Sequence, residues 1–540
     1  MNMKEFLLLG DEAVAQGAID GGLSGVYAYP GTPSTEITEY VQRSKEAKSL
    51  HIHSEWSSNE KTAMEEAIGM SYAGKRAMVC MKHVGLNVAA DAFINAAITG
   101  ANGGLLVVVA DDPSMHSSQN EQDSRFYAKF AMIPVLEPSS QQEAYDMAYY
   151  GFELSEKFRI PVLIRLTTRL AHSRSMVVGK AIKSQNIIRL PDNPTQYVLL
   201  PALARGKYRS LIEKQGIIEE DAASSYFNSV YQGVDHSLGI VASGITYNYL
   251  REAFENRKIP NPVFKIGQYP VPVQSLKTFM MQCEQLLILE EGYPFIEEML
   301  ANPFADHIPV HGRLDGTLPR TGELNPKLVA DALCLEWEVP NKVPEWLVGR
   351  PPSMCKGCTH IEVFHELNEA IKNYGSGRVF SDIGCYTLGA LPPYNSINSC
   401  VDMGASITMA KGAADAGLRP SVAVIGDSTF THSGMTGLLD AIYENSPITV
   451  IISDNSTTAM TGGQDSLGTG KLDQICIGLG ADPEHVHMFE PTRSNRREVV
   501  EIIRNELSYN GLSVIIPKRE CVQTVKKRKK EMKNPKLVNQ

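Results

Sequence analysis

Asp427 and Asn455 carry the clearest chemistry in this chain. Each follows a short β-branched run, Val422–Ile425 in one case and Ile448–Ile452 in the other. Between the runs, Met435, Leu438, Leu439 and Ile442 recur at helical spacing, so the segment reads strand–helix–strand. A right-handed crossover makes the two strands parallel and brings both polar ends to one carboxyl edge, where open α/β sheets bind ligands. A carboxylate, an amide oxygen and a nearby backbone carbonyl then make a half-open oxygen site, as a magnesium ion holding a diphosphate requires. An ordinary βαβ unit with polar loop ends would show the same two residues.

Nine cysteines form the second signal. Disulfides are not expected in a large cytosolic chain, so clustered cysteines point to a metal or to redox work. Cys355 and Cys358 make a CxxC pair, and Cys385 follows in SDIGC. A CxxC by itself suits zinc or a redox pair equally well. Cys80, Cys283, Cys334 and Cys476 lie in apolar surroundings and read as packed core thiols; Cys400 is open to either reading. A third candidate is Glu60, in NEKTAMEEAIGMSYAG. Helical spacing puts Ala63, Met64 and Ala67 on one packed face with Glu60 at its leading end. The position equally suits a solvent-facing glutamate favoured by the helix dipole, and Glu65 and Glu66 lie nearby.

Elements that could position these groups recur along the chain. Asp11 is placed to cap a helix running to Ile19, and Val26–Tyr29 reads as the next strand, followed by the loop YPGTPSTE. Met78–Met81, Leu105–Val109 and Val162–Leu166 are further short apolar runs separated by helical patterns, as in a mostly parallel sheet covered on both faces. Residues 181–235 read as a linker with one or two helices. Leu238–Ala242, Val263–Ile266 and Leu286–Leu289 outline a smaller α/β unit over 236–345. Pro340, Pro344, Pro351 and Pro352 mark a boundary before a third α/β domain, 353–520, and a basic tail predicted to be mobile occupies 521–540.

Composition narrows the function classes. The 540 residues are 43% hydrophobic and 21% charged, as in an ordinary globular protein. No apolar run approaches a bilayer span, and the N-terminal MNMKEFLLLGDEAV is not a secretory signal, so no membrane role and a cytoplasmic location are expected. A formal net charge of −10 argues against a nucleic-acid surface.

Over most of residues 5–521 the chain resembles the α subunit of indolepyruvate ferredoxin oxidoreductase, within the 2-oxoacid:ferredoxin oxidoreductase superfamily. The resemblance rests on GDEAVAQGA (10–18), YPGTPSTEI (29–37), EWSSNEK (55–61), MKHVGLNVAAD (81–91), VVADDPSMHSSQNEQDSR (108–125), CKGCTH (355–360), SDIGCYTLGALPP (381–393), MGASI (403–407) and GDSTFTHSG with DNSTTAMTGGQ. It implies a multidomain thiamine diphosphate-binding fold: a pyrimidine-binding domain over 1–180, a transketolase C-terminal-like domain over 236–345 and a diphosphate-binding domain over 353–520. The two larger domains would be doubly wound parallel sheets.

The resemblance also assigns roles. Glu60 stands nine residues before Gly69, as the aminopyrimidine glutamate of the superfamily does. A hydrogen bond from such a carboxyl favours the imino tautomer that removes the C2 proton of the cofactor. Gly426, Asp427 and Ser428 match the GDS of this particular family, and Asn455 and the Thr457 carbonyl complete the magnesium site. Thr32 matches the threonine that contacts substrate and cofactor, where its hydroxyl can hydrogen-bond a 2-oxoacid carboxylate. Lys82, His83 and Asn87 replace small residues of the relatives and so line the substrate side, Lys82 orienting a carboxylate and His83 shuttling protons. His116, Gln119 and Glu121 follow on the next loop, His116 as a further substrate-side candidate. The fourth cluster ligand of the superfamily comes after the last strand, so Cys355, Cys358, Cys385 and Cys521 are expected to hold one [4Fe–4S] cluster, with zinc the alternative.

The implied activity is oxidative decarboxylation of an aryl 2-oxoacid to its acyl-CoA, with electrons passing through the cluster to ferredoxin. A small β subunit in an α2β2-like assembly is implied too. Longer members carry a further ferredoxin-like domain, whereas no cysteine follows Cys521 here. The basic run at Lys526–Lys530 could then dock an acidic ferredoxin. The alternatives are a non-oxidative thiamine diphosphate decarboxylase or carboligase, which would need no four cysteines, and an oxidoreductase for another 2-oxoacid.

Overall fold

β-Branched and aliphatic runs build the sheets, and alanine- and glycine-rich amphipathic segments build the helices that cover them. The computed structural model describes residues 4–300, 308–337, 344, 346–349 and 352–533. It divides into two compact units, Met1–Lys342 and Val343–Gln540. Of the boundary prolines, Pro340 and Pro351 lie outside the described residues, as do residues 534–540 of the tail.

The first unit is built on a seven-stranded sheet in the order Gln268–Tyr269, Val135–Leu136, Val162–Thr167, Leu105–Asp111, Ala77–Lys82, Gly25–Ala28, His53–Trp56. All pairs are parallel except the first, which is antiparallel. Leu105–Asp111 and Val162–Thr167 are buried at every residue, as continuous apolar strands covered on both faces should be. Their carboxyl ends therefore share one edge, which is where the loops after Ala28, Lys82 and Asp111 emerge. Arg165, wholly buried within Val162–Thr167, ties that edge down by donating to Asp111 at 2.6 Å. A second, five-stranded sheet runs Val310–His311, Leu286–Leu289, Gly239–Ser243, Val263–Ile266, Ser229–Tyr231. Gln268–Tyr269, just after Val263–Ile266, leaves this sheet to pair on the edge of the large one. The stretch expected to be a linker contains one long helix, Pro201–Ala223.

The second unit holds a six-stranded, wholly parallel sheet in the order Ser399–Cys400, Val379–Ser381, Val422–Gly426, Thr449–Ser453, Ser513–Pro517, Val486–Phe489. The strand order reverses between Val379–Ser381 and Val422–Gly426, the kind of switch point at which such sheets bind ligands. Gly426 pairs with Ser453, so Asp427 and Asp454–Asn455 leave the sheet side by side.

Two expectations need correction. Asp11 does not cap its helix: Gly10–Asp20 already includes it, with Leu9 in the capping position and Asp11 fully buried in the first turn. Cys334 is exposed rather than packed in a core, because the short helix Pro326–Ala332 ends just before it and the chain turns at a positive φ of 53°. Within the basic tail, Val522–Lys533 is helical. Lysine and arginine are good helix formers, and an Arg528–Glu520 pair and a bond from Gln523 to Cys355 hold the helix start.

Candidate functional site

In the first unit, Glu60 opens the helix Glu60–Tyr72, behind an Asn59 whose side chain accepts from the Thr62 amide at 2.8 Å. Glu60 is only 4% exposed, on the face it shares with Ala63, Met64 and Ala67. Its carboxyl lies against Gly85 of the next helix, His83–Thr99: a Cβ at Gly85 would fall 2.6 Å from Oε1. Only glycine leaves room there for the carboxylate.

Lys82 closes the strand Ala77–Lys82. Its stem lies over Gly31 of the YPGTPS loop, and its Nζ donates to the Ser117 carbonyl at 3.0 Å. Burial lowers its pKa to about 8, although the carboxylates of Asp112 and Glu60 act to raise it. The Ser117 hydroxyl in turn donates to the Thr32 carbonyl at 3.2 Å. Asp112 anchors this loop by accepting from the Ser117 amide at 2.8 Å, the Ser118 hydroxyl at 2.7 Å and the Thr168 hydroxyl at 2.7 Å. Burial acts to raise the Asp112 carboxyl, but those bonds outweigh it and hold the group below the usual carboxylate range. Thr32, Lys82 and Glu60 are thus gathered near one another, with a cation and two carboxylates in range.

The remaining candidates on these elements differ in burial and in partners. His83 is buried, with Nε2 3.1 Å from the Asn120 carbonyl oxygen. Asn87 is exposed and accepts from the Tyr127 hydroxyl at 2.5 Å. His116 turns outward to Glu323, 3.5 Å away. Gln119 is exposed, and Glu121 accepts from the Ser114 amide at 2.9 Å.

In the second unit, Asp427 is 2% exposed, and its Oδ2 has no hydrogen-bond partner among the described residues. Burial, then the neighbouring Asp454, pushes its carboxyl up to about 7. A carboxylate oxygen buried and unmatched beside a second carboxylate suits a bound cation. Gly426, just before it, has no side chain because the Tyr386 ring fills that space, 2.6 Å from where a Cβ would stand. Ser428 exchanges a hydroxyl bond with Thr458 at 2.7 Å. The Asn455 side-chain oxygen accepts from the Thr457 amide at 3.1 Å, and the Thr457 hydroxyl donates to the Gln464 carbonyl.

The four cysteines converge on the same unit. Burial pushes the Cys385 thiol up to about 12, with Cys358, Cys521 and Cys355 adding to the effect, and Cys358 is raised by burial and then by Cys355 and Cys521. Each is only half-buried. Gln523 donates to the Cys355 sulfur at 3.0 Å. Iron bound at these sulfurs would reverse the upward shift, since a coordinating thiol is deprotonated outright.

A family model described as "Pyruvate flavodoxin/ferredoxin oxidoreductase, thiamine diP-bdg" matches residues 16–198. A second, "Thiamine pyrophosphate enzyme, C-terminal TPP binding domain", matches residues 382–515. The chain is 39% identical over 548 aligned residues to the indolepyruvate oxidoreductase subunit IorA of Archaeoglobus fulgidus, covering 96% of this chain and 86% of that protein. It is 40% identical over 567 residues to the IorA subunit of Pyrococcus horikoshii, with the same coverage. The chain belongs to the indolepyruvate oxidoreductase IorA family.

It is accordingly an α subunit of the 2-oxoacid:ferredoxin oxidoreductase type, with thiamine diphosphate as cofactor and a 2-oxoacid as substrate. Both of those relatives are named as subunits of an oxidoreductase. A 2-oxoglutarate:ferredoxin oxidoreductase from Magnetococcus marinus shares the fold, with a TM-score of 0.50 at 18% identity over 61% of this chain and 65% of that one. No helix among the described residues is long and apolar enough to cross a membrane.

Several residues that contact the candidate groups were not singled out by sequence reading. Gly85 was passed over because its contact with Glu60 joins two helices. His360 stood inside CKGCTH, yet its bonds to Asn455 and Ser453 come from the fold. Asp382 of SDIGC accepts from the Ser406 amide at 2.9 Å and so anchors MGASI to the switch point. Gln523 had no signal, lying in what read as a tail.

Proposed function

We propose that the chain catalyses the oxidative decarboxylation of an aryl 2-oxoacid, indolepyruvate-like, to the acyl-CoA, passing electrons through one [4Fe–4S] cluster to ferredoxin. The observation that carries this reading is the gathering of Cys355, Cys358, Cys385 and Cys521 in the unit that also holds Asp427 and Asn455. Bound thiamine diphosphate supplies the nucleophilic carbon and the electron sink for decarboxylation. Glu60, pressed against Gly85, is fixed to hold a proton at the aminopyrimidine. Asp427, Asn455 and the Thr457 carbonyl are the oxygen donors for magnesium, and the unmatched Asp427 oxygen fits that role. Gly426 and Ser428 shape the turn around them.

Lys82 and Thr32 form the substrate side. A protonated Lys82 attracts the 2-oxoacid carboxylate, and the Thr32 hydroxyl orients it. Asn87 and His116, which face Tyr127 and Glu323, stand further out in this scheme, and His83 acts through its bond to the Asn120 loop. The thiamine diphosphate-binding domain that holds Cys385 favours a redox cluster over a structural zinc at these thiols.

The reading is tested on anaerobically purified protein with its partner subunit, using a panel of 2-oxoacids with and without coenzyme A. Bleaching of the visible cluster absorption by aryl pyruvates, with acyl-CoA formed, is expected. Cofactor-loaded protein that no 2-oxoacid bleaches would overturn it. Decarboxylation without bleaching would favour the non-oxidative alternative, and bleaching by a different 2-oxoacid alone would overturn the aryl preference.

A further inference from the structure

A third group of potential ligands lies in the first unit, on residues given no role above. One ligand atom each from Asp11, Glu36 and His172 lies within 4.8 Å of the other two. The Glu36 Oε2 to His172 Nε2 distance is 3.7 Å. Ligands around a metal with bonds of about 2.1 Å stand roughly 3–3.5 Å apart, so small side-chain movements would close the set.

Three helices bring these side chains together. Asp11 is in the first turn of Gly10–Asp20, Glu36 in the first turn of Thr35–Arg43, and His172 ends the short helix Thr168–His172. Gly10 makes the approach possible. A Cβ there would fall 2.2 Å from the Leu170 carbonyl oxygen, so the glycine lets the first helix press directly on the turn that carries His172.

Asp11 is the independent sign of a ligand. It is fully buried, and neither of its carboxylate oxygens has a hydrogen-bond partner among the described residues. An unmatched buried carboxylate costs several kcal/mol unless it is protonated or meets a cation. The neighbouring guanidinium, Arg43, is engaged in an ion pair with Glu12. His172 and Glu36 are each 36% exposed, which leaves a solvent-facing side where water can complete a coordination shell.

We propose that Asp11, Glu36 and His172 form a divalent metal site that takes manganese or a similar borderline cation. Two carboxylates and one imidazole with open positions match the donor preferences of such ions. The bound cation would cross-link the N-terminal helix, the helix leaving the YPGTPS loop and the turn after Val162–Thr167. The exit of the loop that carries Thr32 would thereby be pinned.

The test is an electron paramagnetic resonance titration of the full chain with Mn2+, with and without thiamine diphosphate. Manganese is the probe because thiolates compete for it poorly. One equivalent per chain that binds without thiamine diphosphate is expected. Asp11→Asn and His172→Gln should each weaken it by more than the roughly 10–100-fold that loss of an outer-shell partner costs. His172 is partly exposed, so His172→Gln keeps the test valid if Asp11→Asn fails to fold. Absence of this equivalent, or binding that survives His172→Gln, would overturn the proposal and leave Asp11 as a protonated core carboxyl.

Discussion

The backbone amide of Cys521 donates to the carbonyl of Asn455 at 3.1 Å. That bond continues a parallel ladder past the ends of its strands. The Asp454 amide donates to the Pro517 carbonyl and the Arg519 amide to the Asp454 carbonyl, each at 3.0 Å, before the chain reaches Cys521. A residue proposed to hold magnesium and one proposed to hold iron are therefore fixed by the same stretch of sheet edge. Their separation is set by backbone geometry, not by a flexible loop.

Cys521→Ser should separate the two sites. The amide that bonds Asn455 is unchanged, so thiamine diphosphate affinity should stay within a few-fold of wild type. Iron content and oxoacid-driven bleaching should both fall sharply. Full iron content with normal bleaching in this variant would remove Cys521 from the ligand set.

Gly85→Ala tests how Glu60 is positioned. The added methyl would meet the Glu60 carboxyl at 2.6 Å. Overpacking of this kind costs about 1–3 kcal/mol, part of it as displacement of the carboxyl. A kcat decrease approaching that of Glu60→Gln is expected, with thiamine diphosphate still bound. Unchanged kcat in Gly85→Ala would show that the carboxyl's placement does not limit turnover.

Lys82 predicts a pH limb. Its pKa, lowered to about 8 by burial, leaves it charged below that pH and neutral above it. Attraction of a 2-oxoacid carboxylate therefore holds at pH 7 and is lost as the pH rises through 8. kcat/KM, which reports the free enzyme, should fall roughly tenfold per pH unit on the alkaline side. Lys82→Met should raise KM and abolish that limb. A limb that persists in Lys82→Met belongs to another group.

Local signals carried much of this molecule, and long-range packing carried the rest. Val422–Gly426 and Thr449–Ser453 were legible because β-branched runs end in polar residues, and their parallel pairing followed from the helix between them. His53–Trp56 was not, since HSEW has no apolar run and becomes a strand only by pairing beside Gly25–Ala28. Glu60 stood out once a motif chose it from three glutamates, but Gly85 looked like any helical glycine. The helix Val522–Lys533 was not legible, because its run of lysines carries no apolar period, while Gln523 and Glu520 hold its start. Asp11 resembled a helix cap from its position before an apolar run, and only burial shows it to be an unmatched interior carboxylate.

His360 supports the most local prediction. It is buried, with Nδ1 2.7 Å from the Ser453 hydroxyl and Nε2 3.4 Å from the Asn455 amide nitrogen. Burial, helped by Arg519, lowers its pKa to about 4, so the ring is neutral at pH 7. An Nδ1–H donating to Ser453 leaves Nε2 as acceptor for the Asn455 amide, which keeps the amide oxygen turned away from His360. His360→Leu removes that acceptor while preserving bulk, and the amide can then rotate. Magnesium-dependent thiamine diphosphate binding should weaken by about 10–100-fold, as for loss of an outer-shell partner. His360→Gln, whose side-chain oxygen can still accept from Asn455, should retain most of the affinity. Isothermal titration of both variants decides the point: equal losses would mean that His360 fills space, and a loss confined to His360→Leu would mean that it orients Asn455.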